Sequence, residues 1–296
     1  MIEKLKKLRV GKVINNPKMS DYTTYKVGGN AIALVCPTDV NNLIKLLTYL
    51  RENNIKYKIL GNGSNLIFSD NKYEGVIINL SEFNKLEIND TIVIVGAGYN
   101  LIKLSLKTAR MGLSGLEFAS GIPGTIGGAI FMNAGAYKSD IGYIVSEVKV
   151  LTPDLKVKTL YNKDLDFHYR SSFLQKNKDY ICLEAKLVLK HGDANSIMEV
   201  IADRKQRRLL TQPLEYPSAG SVFRNPENDF AGRLIEELGY KGKNIGGAYV
   251  SEKHANFIIN KDHATASDIR NLINEIKDKV KEKYGIELKV EQEFVD

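Results

Sequence analysis

Three glycine-rich stretches hold the residue types best suited to chemistry, because a chain without Cβ atoms can bring bare amides against an anion. Gly61-Asn62-Gly63-Ser64-Asn65 lacks the Gly-Lys-Ser/Thr of a P-loop and no helix follows it. Its glycines and polar side chains make either an anion-binding nest or a plain hairpin turn. Gly121-Ile122-Pro123-Gly124-Thr125-Ile126-Gly127-Gly128-Ala129 is more informative. Pro123 and the small residues every three or four positions predict a helix starting there, its free N–H groups and dipole facing whatever sits against Gly121 and Gly124. The alternative, a small-residue helix packed tightly on a neighbour, leaves four glycines in eight residues unexplained. Gly96-Ala97-Gly98-Tyr99-Asn100-Leu101 has the setting of a dinucleotide fingerprint, but Leu101 replaces its third glycine, so a tight strand-to-helix turn is the better account.

Other chemistries find less support. Cys36 and Cys182 each lie in an apolar, strand-like run and read as reduced core residues. The four histidines have neither i, i+4 pairing nor a nearby cysteine, so no metal site is expected. With 42 Lys and Arg against 35 Asp and Glu, the net charge is +7. The densest basic cluster, Arg204-Lys205-Gln206-Arg207-Arg208, has no interleaved aromatic platform, which favours an anionic small molecule over nucleic acid. A composition 43% hydrophobic and 26% charged excludes disordered, collagen-like and coiled-coil chains. No apolar run approaches the roughly 18 residues of a membrane span, and the basic N-terminus is not followed by an apolar core, so a cytoplasmic protein is expected.

These residues must be positioned by alternating elements. Ala31 to Cys36, Asp39 to Asn54 and Tyr57 to Leu60 read as a β-α-β unit, with Leu43, Leu46, Leu47 and Leu50 on one helix face. Short strands are expected at 66–68, 75–80, 86–88 and 91–95, a helix at 100–111, and strands near 144–151, 157–161 and 180–190. From Asp193 the pattern changes to a helix to about Leu210, a proline-punctuated stretch, a helix at 230–238, a strand at 255–260, an amphipathic helix at 266–284 and a strand at 286–295. A boundary near 192 separates this last α+β module.

The glycine loops, His168-Tyr169-Arg170-Ser171-Ser172-Phe173, Gly220-Ser221-Val222-Phe223-Arg224-Asn225-Pro226 and Ser251-Glu252-Lys253-His254-Ala255-Asn256-Phe257 together resemble the UDP-N-acetylenolpyruvoylglucosamine reductase family, in order, from about Thr23 to Glu291. The resemblance implies an α+β protein with a vanillyl-alcohol-oxidase (PCMH) type FAD-binding domain of two α+β subdomains, 1–82 and 83–192, and a C-terminal α+β substrate domain, 193–296. It implies noncovalent FAD held by Gly61, Asn62, Gly63, Ser64 and Asn65, and by Gly121, Pro123, Gly124, Thr125, Gly127, Gly128 and Ala129. NADPH is the donor and a UDP-sugar enolpyruvyl ether the acceptor, in a cytoplasmic protein that binds neither nucleic acid nor membrane; the sequence does not give the oligomeric state, and a monomer is the expectation. The alternative is another FAD oxidase or dehydrogenase on the same fold; from a different class, the rival is a noncatalytic anion-binding or nucleic-acid-binding module.

The family reaction needs a carboxylate clamp, a group that stabilises enolic charge and a proton source at carbon. The resemblance assigns the clamp to Arg170, whose planar fork suits a carboxylate. It assigns proton donation to Ser221, otherwise a turn residue, and stabilisation of the enolic intermediate to Glu291. Alternation along a terminal strand would put Glu287, Glu291 and Glu293 on one face. Where the family continues with an apolar and then a basic residue, this chain has Gln292 and Glu293. Tyr169, Arg224, Asn225, His254 and Asn256 are the implied substrate residues, His254 and Asn256 also reading as a polar pair supporting the substrate loop. Arg207 is either a diphosphate contact or part of a solvated helix face.

Overall fold

The computed structural model describes residues 1–296, which form two compact units. The first gathers Met1–Asn15, Ala33–Asn62 and Gly75–Gln206; the second gathers Asn16–Ile32, Gly63–Glu74 and Arg207–Asp296.

In the first unit a four-stranded sheet has the order Gly11–Asn15, Ala31–Pro37, Tyr73–Asn79, Lys56–Leu60. Helix Val40–Glu52 is started by Asp39, whose carboxylate accepts the Asn42 N–H at 2.9 Å, and it buries the four leucines expected from their spacing. The strands flanking this helix are not neighbours, however. Tyr73–Asn79 lies between them and runs parallel to Lys56–Leu60. Its Val76, Ile77 and Ile78 are completely buried, as a strand covered on both faces requires, whereas Lys56–Leu60 starts on an exposed lysine and takes the edge.

A second sheet, antiparallel throughout, has the order Val157–Tyr161, Val145–Leu151, Ile181–Val188, Ile92–Gly96, Leu86–Asn89. The turn from Ile92–Gly96 into helix Leu101–Arg110 is a backbone-on-backbone contact. A Cβ on Gly96 would stand 2.1 Å from the Phe83 carbonyl oxygen, and one on Gly98 only 1.9 Å from that of Leu80. Both glycines are therefore used up by packing. Cys36 and Cys182 are buried free thiols, and burial pushes Cys182 up to about 12.

The second unit is built on helix Ala266–Tyr284, which starts and stops where the pattern placed it. Thr265 and Asp268 exchange hydrogen bonds at 3.0 and 2.9 Å in a capping box, and Gly285 closes the helix at φ 69°. Its Ile269, Leu272, Ile273, Ile276 and Val280 pack into one core with Tyr25, Ile67, Phe223, Leu234 and Leu288. A three-stranded sheet runs Asn244–Ile245, Ala248–Val250, Ile258–Asn260. The expected strand over 286–295 contracts to Glu293–Val295, which pairs in parallel with Leu66–Phe68. Upstream of it Ile286, Leu288 and Val290 reach the helix core through side chains, and the backbone contributes only a bridge from Val290 to Phe223. Strand alternation thus does not govern the glutamates: Glu287 is exposed, while Glu291 and Glu293 are half-buried.

Candidate functional site

Within the first unit the second glycine stretch is knit to the first. The helix spans Ile126–Met132 and does not begin at Pro123; Thr125 is its cap, its hydroxyl accepting the Gly128 N–H at 3.3 Å. The next amides are also engaged, Ile126 donating to the Tyr99 carbonyl at 3.0 Å and Gly127 to that of Ala97 at 2.8 Å. The expected free first-turn amides are therefore taken by the 97–100 turn, which docks on the helix start because Gly127 leaves room for Ala97. What stays open is the loop before the helix. Nothing lies within 4 Å of a Cβ position on Gly124. Asn62 donates its side-chain amide to the Pro123 carbonyl at 2.9 Å, and a Cβ on Gly61 would come within 2.7 Å of the Thr125 hydroxyl oxygen.

The Arg170 loop is anchored to the other end of the same helix. Asn133 ends the helix in the left-handed region at φ 41° and donates to the His168 carbonyl at 2.9 Å, while the Ser172 hydroxyl donates to the Phe131 carbonyl at 2.8 Å. His168 and Ser171 exchange two backbone hydrogen bonds at 3.0 Å, closing a tight turn with Arg170 at φ 53°. A left-handed arginine costs about 1 kcal/mol or more. Its guanidinium donates to the Gly135 carbonyl at 2.8 Å and lies 5.1 Å from the centre of the exposed Tyr169 ring.

Within the second unit the Ser221 and Glu291 segments lie side by side. The Glu291 N–H donates to the Val222 carbonyl at 2.8 Å and the Arg224 N–H to that of Lys289 at 2.9 Å. Asn256 is buried and spends its side chain on Phe223, accepting its N–H at 2.9 Å and donating to its carbonyl at 2.8 Å. His254 accepts the Asn256 N–H through Nδ1 at 3.1 Å, and burial holds its pKa below the usual imidazole value. Asn225 accepts the N–H of Ala231 at 3.2 Å, tying the segment to helix Ala231–Glu237. The Arg224 Nε is buried without a hydrogen-bond partner, a cost that an anion would remove.

The second half of the first glycine loop belongs to this unit. Gly63 has φ 62°, and a Cβ there would stand 2.0 Å from the Tyr22 carbonyl oxygen. Asn65 donates to the Glu291 carbonyl at 3.1 Å and accepts the Glu293 N–H through its own carbonyl at 2.9 Å. Beside Gly63, Thr24 has a buried hydroxyl with no partner. Sequence reasoning missed Thr24, since a threonine in an irregular stretch resembles any loop residue; only the orphaned oxygen identifies it. Taken separately, the open space at Gly124 in the first unit is a closely approachable backbone, and the Thr24 hydroxyl in the second is an unspent polar group, each of the kind that FAD binding uses.

Comparison with known proteins agrees. Residues 212–295 match the family described as UDP-N-acetylenolpyruvoylglucosamine reductase, C-terminal domain, and residues 31–161 match the FAD binding domain family. The UDP-N-acetylenolpyruvoylglucosamine reductase of Anoxybacillus flavithermus is 46% identical over 294 residues, 99% of this chain and 97% of that protein. The Bacillus subtilis protein of the same name is 42% identical over 296 residues, 100% of this chain and 98% of that one. The crystal structure of the Thermus caldophilus reductase superposes with a TM-score of 0.81 at 34% identity, covering 96% of this chain and 98% of that one.

Proposed function

The chain belongs to the UDP-N-acetylenolpyruvoylglucosamine reductase family, and from that premise we propose which of its residues carry the reaction. It is a flavin-dependent UDP-N-acetylmuramate dehydrogenase, reducing UDP-N-acetylglucosamine enolpyruvate to UDP-N-acetylmuramate with NADPH in peptidoglycan precursor synthesis. When bound, FAD supplies hydride storage between NADPH and the vinyl CH₂ of the substrate. Hydride addition there leaves negative charge on the carbon next to the carboxylate, which must be spread and then quenched by a proton.

Arg170 takes the substrate carboxylate on its planar fork and stabilises the enolate. Its turn is locked by Asn133 and Ser172, so little side-chain freedom is lost on binding. Ser221 gives its hydroxyl proton to the carbanionic carbon, and Glu291 stabilises the enolic form beside it. The observation that carries the pairing of Ser221 with Glu291 is the 2.8 Å bond between Glu291 and Val222, which fixes the two segments in register. Arg224, with its unpaired Nε, meets the anionic part of the nucleotide, with Asn225 and Tyr169 beside the substrate. Asn256 and His254 act as positioning residues, holding the 222–225 segment from behind.

FAD is held by Gly61, Asn62, Gly63, Ser64 and Asn65 and by the 121–129 stretch, with the Thr24 hydroxyl as a further partner. Residues 1–82 and 83–192 are assigned to the FAD-binding subdomains and 193–296 to the substrate domain; the family matches over 31–161 and 212–295 support a FAD-binding part followed by a reductase-specific part, although 16–32 and 63–74 pack with 207–296 in the fold. We propose that the enzyme works as a monomer in the cytoplasm, where both of its nucleotide substrates occur.

Stopped-flow absorbance tests the assignment. NADPH should bleach the bound flavin, and the enolpyruvyl nucleotide should restore its colour. Ser221→Ala keeps the first step near the parent rate and slows the second by about 10²-fold or more. Equal loss in both steps would count against proton donation by Ser221.

A further inference from the structure

Gln292 is 4% exposed and Tyr25 is completely buried, yet they form a polar pair in the core beneath Ser221. The Gln292 side-chain nitrogen Nε2 lies 3.2 Å from the carbonyl oxygens of Ala219 and Gly220 and 3.4 Å from that of Ser221. These three consecutive oxygens can only accept, so the nitrogen faces them and the amide oxygen faces away. That oxygen accepts the Tyr25 hydroxyl at 3.1 Å. Gly220 makes the convergence possible: at φ 74° it turns the chain through the left-handed region. Without a donor between them, these three converging carbonyl dipoles, buried at Ala219 and half-buried at Gly220 and Ser221, would repel one another, and the 219–221 turn would loosen.

The main chain of the same segment carries the neighbouring residue. Glu291 is bonded to Val222, and Glu293 to Asn65. Gln292 therefore ties the backbone of Ser221 to the segment bearing Glu291 through a side chain that does not reach solvent.

We propose that Gln292, oriented by Tyr25, is a positioning residue for the protonation step, setting the Ser221 hydroxyl relative to Glu291. This rests on the assignment of Ser221 as proton donor. It touches neither substrate nor cofactor, so its removal acts on the proton transfer and not on substrate affinity or on flavin reduction.

The test compares three variants of the FAD-loaded enzyme by stopped flow. In Gln292→Met, flavin reoxidation by the enolpyruvyl nucleotide slows about tenfold or more, while reduction by NADPH and the dissociation constant of the nucleotide stay within about threefold. In Gln292→Glu, a carboxylate against three carbonyls destroys the turn, but the neutral acid can donate one hydrogen bond. Its reoxidation rate therefore recovers reversibly as the pH is lowered from about 8 to 6, an interval reached because burial raises the carboxyl pKa. Ser221→Ala in the same series checks the underlying assignment. If it leaves reoxidation intact, the proton-donor reading fails; if it abolishes reoxidation while Gln292→Met matches the parent or loses both steps equally, the positioning role fails. Should the Met variant not fold, the Glu variant decides alone, and a reoxidation rate that does not rise on acidification overturns the proposal.

Discussion

Arg170 is the residue at which strain and chemistry meet, a guanidinium held at φ 53° by a turn bonded at both sides. Lysine keeps the charge but has no planar fork, so Arg170→Lys should lower kcat by about 10²-fold while the protein retains its flavin colour and melting temperature; parent-like turnover would refute the clamp. Gly63 is constrained differently, by a carbonyl 2.0 Å from any Cβ and by its left-handed φ. We expect Gly63→Ala to purify with little flavin, measured as the ratio of absorbance at 450 to 280 nm (about the wavelengths of flavin and protein), because the loop must shift to admit a methyl group. Such motif residues were legible because their types are unusual for their places. Gln292 and Thr24 were not, since a glutamine among glutamates and a threonine in an irregular loop look like surface until their partners, or the lack of them, are seen.

At the scale of elements, the capping of helix Ala266–Tyr284 comes partly from a distant segment. Asp70 accepts the Ala266 N–H at 2.7 Å and, through its second oxygen, the Ser267 N–H and hydroxyl at 2.9 and 2.7 Å. Burial pushes this carboxyl up, but the Ser267 and Ala266 hydrogen bonds and nearby Arg270 outweigh it, so its pKa lies below the usual range. A depressed carboxyl contributes its stability above the unfolded value of about 3.9 and loses it as the pH falls through the folded value. Asp70→Ala should therefore cost about 1–2 kcal/mol near neutrality, and the gap in melting temperature should narrow below about pH 4; a gap constant with pH would exclude the cap. Helix Ala266–Tyr284 was legible to the residue because periodicity and caps agree. The segment 286–295 was not, because side chains packing on a helix alternate like a strand whether or not the backbone finds a ladder.

For the whole molecule, an excess of seven positive charges favours the approach of anions, and both substrates are anionic nucleotides. Raising the salt from about 20 to about 200 mM should increase both KM values severalfold with kcat nearly constant, because the Debye length falls below the reach of the scattered lysines. Independence of KM from salt would show that only local contacts matter. The basic excess and the order of the motifs were readable along the chain. The grouping of Asn16–Ile32 and Gly63–Glu74 with Arg207–Asp296 was not, because what ties them is the burial of Tyr25, Val27 and Ile67 in a core supplied from the far end.

That grouping has a consequence during translation. The ribosome delivers Tyr25, Val27 and Ile67 well before the helix Ala266–Tyr284 that covers them and the strand Glu293–Val295 that pairs with Leu66–Phe68. A nascent chain must hold these greasy stretches uncovered until that distant segment has emerged, which makes them natural stations for a holding chaperone and makes ribosome stalling after residue 206 a route to aggregation.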